Sequence, residues 1–434
     1  MSDGRSSTVP AGLPAHFGIG VDAHPDATGI YGWMPDSQSP WDYAYQYLAG
    51  GVNTGYGWRT WNSGGRFPLD YAKGAAANGY LPVFPYYQLL QSNGPCDACD
   101  ESSRDLAHLN SASLMSKYFA DFRVLMQRLG PGTSGGVKGF GGTAVVIVEP
   151  DLSGYAEQAV LSPNQACHGF CTGRGNDPSL LKAAVARSGF ADVAGYANAY
   201  QGFSLALSHL RDRYAPNVLL AYHVSDWSTF YDVGSSTDPS LDATALGKKA
   251  GTFAALAGAA TARSDTGRYD VLTNDVGDRD AAYYKYVYGR DVFWDRDNSG
   301  LPNFHRWESY VRAAGTAAGR SVLVWQIPVG NQYFRSENNT DGHYQDNRAE
   351  YFFGHIPEVE SAGIIGLLSG RGNGGSTTQW DDQGDGVTNP PAVCTSDGSS
   401  SGQICSDHES SSPDDDGGYL RMAAAAYYGS PSPL

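Results

Sequence analysis

The stretch Val145-Val146-Ile147-Val148-Glu149-Pro150-Asp151 decides how the rest of the chain is read. Four consecutive β-branched residues suit a strand buried on both faces, as in a parallel sheet covered by helices. Pro150 lacks the N–H a ladder needs, so the strand ends there. Two carboxylates therefore stand at the end of a buried parallel strand, which is where barrel folds of this class gather their reactive groups. Pro150 is read as holding an extended turn, with Glu149 and Asp151 pointing to similar sides.

Comparable apolar runs recur on either side. Strands are expected at 16–23, 51–61, 80–90, 143–149, 217–224, 269–274, 321–327 and 364–369. Helical patterns lie between them at 111–129, 198–214, 303–318 and 347–362; in the first, Leu114, Tyr118, Phe122, Leu125 and Leu129 share one face. Alternating strands and helices select parallel pairing, because parallel neighbours need a crossover. A count of eight, with no Gly-rich phosphate turn after the first strand, favours a closed barrel over an open doubly wound sheet. The expected architecture is α/β, a single (β/α)8 TIM barrel. A tail at 1–15 precedes the barrel at 16–434, which includes a long acidic Gly/Ser/Asp-rich loop at 371–418 and a closing helix at 419–428.

The 434 residues carry 29 Lys+Arg against 45 Asp+Glu, a formal charge of −16. That balance lacks the basic footprint that nucleic acids and anionic membranes require, and no run approaches the ~20 apolar residues of a membrane-spanning helix. Charged residues are only 17%, yet there are 9 Trp, 28 Tyr and 16 Phe. An uncharged partner follows, handled by a chain expected to act as a monomer. The six cysteines form three local pairs, Cys96 with Cys99, Cys167 with Cys171 and Cys394 with Cys405, in Gly/Ser/Asp-rich segments. Disulfides and a secreted, extracellular life are favoured over a zinc site made from the first four thiolates.

Two further strands end in acids: Tyr222-His223-Val224-Ser225-Asp226-Trp227 and Thr273-Asn274-Asp275. A solvated acid or a helix cap explains any one of these, and Asp278 or Asp280 is read as a cap of a helix at 281–288. Glu149 could also simply pair with Arg59. Acids at three successive strand ends are harder to dismiss. Glu149, Asp151, Asp226 and Asp275 are the candidate catalytic groups, with Trp58, Trp61, Tyr86, Trp227, Trp325, Gln326 and Trp380 as the substrate-binding surface. Aromatic faces stack on sugar rings, and paired carboxylates serve as acid and as base or nucleophile on a glycosidic bond.

No phosphate loop, dinucleotide fingerprint or zinc-protease helix is present, and no convincing Gly-x-Ser-x-Gly nucleophile elbow. No cofactor is expected. His223, His343 and His355 have no metal-helix spacing and are read as core or hydrogen-bonding residues. The one metal the pattern admits is a structural calcium, at Asp295-Arg296-Asp297-Asn298-Ser299-Gly300 or Asp381-Asp382-Gln383-Gly384-Asp385-Gly386, neither with a closing Glu.

The run through Glu149-Pro150-Asp151 resembles, over about ten residues, the strand-end signature of glycoside hydrolase family 6 cellulases. That resemblance implies that Asp151 is the general acid. A second resemblance, to the barrel clan that places its acid Glu at the end of strand four, implies Glu149 instead; where that clan has a nucleophilic Glu after strand seven, this sequence has Trp325-Gln326-Ile327-Pro328. The function expected from residues and resemblance together is hydrolysis of a β-linked neutral polysaccharide, such as a β-glucan or cellulose. The alternatives are a non-catalytic carbohydrate-binding barrel and a metal-dependent hydrolase.

Overall fold

The computed structural model describes residues 9–23, 34, 37, 39–260, 268–333, 337, 339, 342–370, 376–377 and 418–434, and the backbone of short strands at 395–396 and 403–404. Eight strands close into a barrel: β1 (Gly18–Asp22), β2 (Tyr43–Tyr45), β3 (Leu81–Tyr86), β4 (Ala144–Val148), β5 (Val218–His223), β6 (Val271–Asp275), β7 (Val322–Ile327) and β8 (Ile364–Ser369). Each pairs in parallel with its neighbours in chain order, and β8 returns to β1. The barrel has one strand more than is usual in the family the Glu-Pro-Asp motif resembles.

Seven of the eight expected strands are present, and the second is displaced. Residues 51–61 form an irregular loop with a single 3-10 turn at Trp58–Thr60, and the true β2 is Tyr43–Tyr45. Three residues are too few for an alternation to register, whereas the loop looks apolar because Trp58 is fully buried. The helix expected at 347–362 is two, Arg348–Gly354 and Ile356–Ser361, broken where Pro357 cannot continue the first one's hydrogen bonding. Helices at Ala112–Leu129, Tyr200–Tyr214 and Phe304–Ala318 match their patterns, and Gly418–Tyr428 lies where a closing helix was expected.

Strand alternation sorts the side chains into two cores. Tyr43, Tyr45, Val83, Val145, Ile147, Ala221, Val271, Leu323 and Trp325 fill the barrel interior. Val146, Val148, Leu220, Tyr222, Leu272 and Val324 face the helices. Gly20 is needed on β1 because a Cβ there would meet Tyr43 Cβ at 2.4 Å. Val9 and Leu13, in the segment read as a tail, pack with Leu434 against the inner core. Most of the acidic loop, including Trp380 and the Cys394 and Cys405 pair, lies outside the described residues.

Candidate active site

The segments leaving β4, β5, β6 and β7 converge on a cavity of about 640 Å³ whose lining includes Asp151, Asp226, Trp227, Asp275, Trp325 and Gln326. Six of the sequence candidates thus meet in one place. The acids come from three adjacent strands, because in a parallel barrel every strand delivers its C-terminal end to the same rim.

Asp151 reaches the cavity from the first turn of the helix Pro150–Leu161. Burial, strengthened by the charges of Glu101 and Asp275 and opposed by His223, pushes its carboxyl up to about 7. Asp275 ends β6 and points inward, its Oδ2 3.3 Å from His223 Nε2. Asp226 is buried more deeply, where Asn274 Nδ2 donates to it at 2.7 Å and Asn274 is in turn held by the Trp307 indole at 2.9 Å. Burial, and then the charge of Asp275, raises the Asp226 carboxyl well above the usual range.

Glu149 does not join them. Its backbone is left-handed, with φ 39°, and Pro150 begins a helix instead of holding an extended turn. Strand alternation is broken at that residue, so its carboxylate turns away from the cavity and accepts the backbone N–H groups of Gln88 and Leu89 at 3.1–3.3 Å. It ties the end of β3 to the end of β4 and is only 2% exposed. Burial outweighs these hydrogen bonds and raises its carboxyl to about 8. Arg59, the alternative partner for Glu149, stands 3.9 Å from Asp121 instead.

Trp58 and Tyr86 also lie away from the cavity. The Trp58 indole and the Tyr86 hydroxyl both donate to Asp121, at 2.9 and 2.7 Å, between barrel and helices. Trp61 is on the surface, edge-on to Phe67 at 4.9 Å. Trp227 packs on Tyr155 at 4.8 Å, an approach that Gly154 permits, since a Cβ there would sit 2.6 Å from the indole. Trp325 packs against Tyr47 at 5.6 Å, and Gln326 lines the cavity with a left-handed φ of 56°.

Several lining residues had gone unnoticed in the sequence: Tyr47, Tyr87, Glu101, Tyr155 and Trp294. Tyr47 follows the strand hidden by the misplaced β2, and Tyr87 directly follows β3. A reading of every strand end would have found both. Glu101 carries no local signal; it arrives through the Tyr87 hydroxyl, which donates to it at 3.1 Å. Asp278 lines the cavity and accepts the Tyr284 hydroxyl at 2.6 Å, so it is not a cap. Asp280 occupies the cap position of Ala281–Tyr288 but spends its carboxylate on the backbone N–H groups of Gly330 and Thr377.

Cys96–Cys99 and Cys167–Cys171 are disulfides, so these four sulfurs do not form a thiolate zinc site. Among the described residues no group of three or more His, Cys, Asp or Glu could hold a metal ion. In the calcium-like stretch the Asp295 carboxylate accepts the N–H groups of Asp297, Ser299 and Gly300, an arrangement that builds a turn from donors rather than presenting oxygens to a cation. The Asp381–Gly386 stretch lies outside the described residues. No described helix is long and apolar enough to cross a membrane.

The fold and cavity together define a (β/α)8 barrel with a carboxylate-rich, aromatic-walled mouth. No family model matches the chain. No curated protein matches it either. Among solved structures it is similar to a modular family 26 endo-β-1,4-mannanase from Cellulomonas fimi, at 11% identity and TM-score 0.44 over 86% of this chain and 68% of that one. It is also similar to an exo-β-1,4-mannosidase from an Opitutaceae bacterium, at 13% identity and TM-score 0.40 over 85% of this chain and 54% of that one. A third is a family 5 mannosidase from Rhizomucor miehei, at 9% identity and TM-score 0.43 over 85% and 84% of the two chains. Likenesses this distant transfer no residue and no substrate.

Proposed function

We propose that this protein is a secreted glycoside hydrolase acting on a β-linked neutral polysaccharide, with Asp151 as proton donor and Asp275 as its partner. The observation that carries the reading is Asp151 itself, a cavity carboxyl raised to about 7 by burial and by neighbouring negative charge. Such a group still holds its proton near neutral pH and can give it to a glycosidic oxygen. As the bond to the anomeric carbon breaks, a water adds there and Asp275 takes its proton, so the reaction needs no cofactor. Asp226, pushed well above the usual range, is poorly suited to that role. Glu149 is assigned to holding two strand ends together.

The substrate class follows from the walls. Tyr47, Tyr155 and Trp227 offer ring faces, whereas Glu101, Asp232, Asp275 and Asp278 would repel uronates and phosphates. Two disulfides favour an oxidising, extracytoplasmic setting. The test is release of reducing ends from soluble β-glucans, cellulose and β-mannans by the purified protein, with and without chelator. Binding without release would favour the non-catalytic carbohydrate-binding barrel, and loss of release in chelator would favour a metal-dependent hydrolase. The anomer formed first, read by NMR, tells whether Asp275 acts on water or on the sugar carbon.

A further inference from the structure

Nine large apolar side chains are exposed among the described residues, and all but Met422 lie on segments that leave the C-terminal ends of strands. They include Trp61 after β2, Phe230 and Tyr231 after β5, and Tyr286 and Tyr288 after β6. Scattered exposed apolar residues need no explanation, but their confinement to the cavity face does.

The densest group is on the helix Ala281–Tyr288, where only Ala281 and Ala282 are buried. Tyr286, Val287 and Tyr288 are 61%, 47% and 57% exposed. Consecutive helical residues are about 100° apart, so no single packed face could hide all three. The rings are also continuous with the cavity: Tyr284 lines it, Tyr288 lies 6.1 Å from Tyr284, and Tyr283 lies 5.8 Å from Tyr288. Lys285 pairs with Asp291 at 2.7 Å, and the Arg290 guanidinium lies 5.7 Å from the Tyr284 ring centroid. The surface is aromatic, with Arg290 at its cavity end.

We infer that the Tyr284–Tyr288 pair, one helical turn apart, binds sugar units of a neutral glycan chain that continues past the cavity, so that the substrate is a long polymer. This rests on the glycosidase reading above. A ring face matches the apolar face of a pyranose and asks for no charge.

The test uses the Asp151→Asn protein in native gels containing soluble β-glucan or β-mannan, so that binding is read without turnover. Tyr288→Ala should weaken retardation by roughly fivefold or more, and Tyr288→Phe, which keeps the ring, should not. In the active protein the ratio of KM for polymer to KM for a two-sugar aryl glycoside should rise by the same factor. Unchanged retardation in Tyr288→Ala would overturn the inference, as would a rise in both KM values together. A concentration-dependent dimer on sedimentation, abolished by Tyr288→Ala, would assign these rings to a second copy and overturn it as well. A parent protein that is retarded by glycan yet releases no reducing ends would instead refute the glycosidase reading and leave the pair standing.

Discussion

His223 Nε2 lies 3.3 Å from Asp275 Oδ2, and the opposite nitrogen of the same ring, Nδ1, lies 3.3 Å from the Trp325 indole nitrogen. An indole N–H can only donate, so Nδ1 is the acceptor and the ring proton is on Nε2, which is near Asp275 but makes no hydrogen bond among the described residues. Thr273 Oγ1, at 3.2 Å from Nδ1, fits either tautomer, since a hydroxyl donates or accepts. The ring is fully buried and cannot turn to another partner.

His223→Phe should therefore lower kcat by at least about tenfold with little change in KM. The Phe ring fills the space but removes both ring nitrogens beside Asp275. Trp325→Phe, which removes only the indole N–H to Nδ1, should lower kcat less. Wild-type kcat in His223→Phe would show that this ring does not position Asp275.

Asp151→Asn should leave a folded protein with turnover reduced by at least about 10²-fold on its polysaccharide. Partial recovery is expected on aryl glycosides with activated leaving groups, which need no proton. Because the native carboxyl is raised to about 7, the acid form is present below that pH and is lost as pH rises through it. The wild-type rate should fall on the alkaline side near 7, and that limb should be absent from the variant.

Glu149 should behave as a structural group. Glu149→Ala strands the Gln88 and Leu89 N–H groups and should cost about 1–3 kcal/mol for the lost acceptor, read by denaturant melts. Glu149→Gln keeps an acceptor and should retain turnover within a few fold. Its folded value, about 8, lies above that of the unfolded chain, so its contribution to stability is greatest below about 4.5 and is lost as pH rises toward 8. The fall in Tm across that window should be shallower in Glu149→Gln.

Two tryptophans should separate binding from stability. Trp58→Ala removes a fully buried ring and an Asp121 partner and should cost ~3–5 kcal/mol. Trp227→Ala, at the cavity wall, should weaken glycan binding with a much smaller change in Tm. The reverse ranking would place Trp58 at the site.

Much of this was legible in the chain itself. The Val145–Val148 run, the apolar stretches at 217–224, 269–274 and 321–327, and the regular helical patterns required parallel strands with helices outside them, and an eightfold count implied closure. Acids at the ends of β4, β5 and β6 then had to share a rim, because strand direction alone puts them there. The sequence could not fix what depends on a single dihedral or on a distant neighbour. Glu149 and Asp151 differ by two positions, yet φ 39° at Glu149 sends one to backbone amides and leaves the other in the cavity. Trp58 and Trp227 look alike in sequence; one meets Asp121 under a helix and the other faces Tyr155 at the mouth. Period and composition determined the barrel, since burial of apolar area is a sum over many residues. The tertiary structure alone decided the site, since a carboxyl's pKa and a histidine's tautomer are set by the few atoms packed around them.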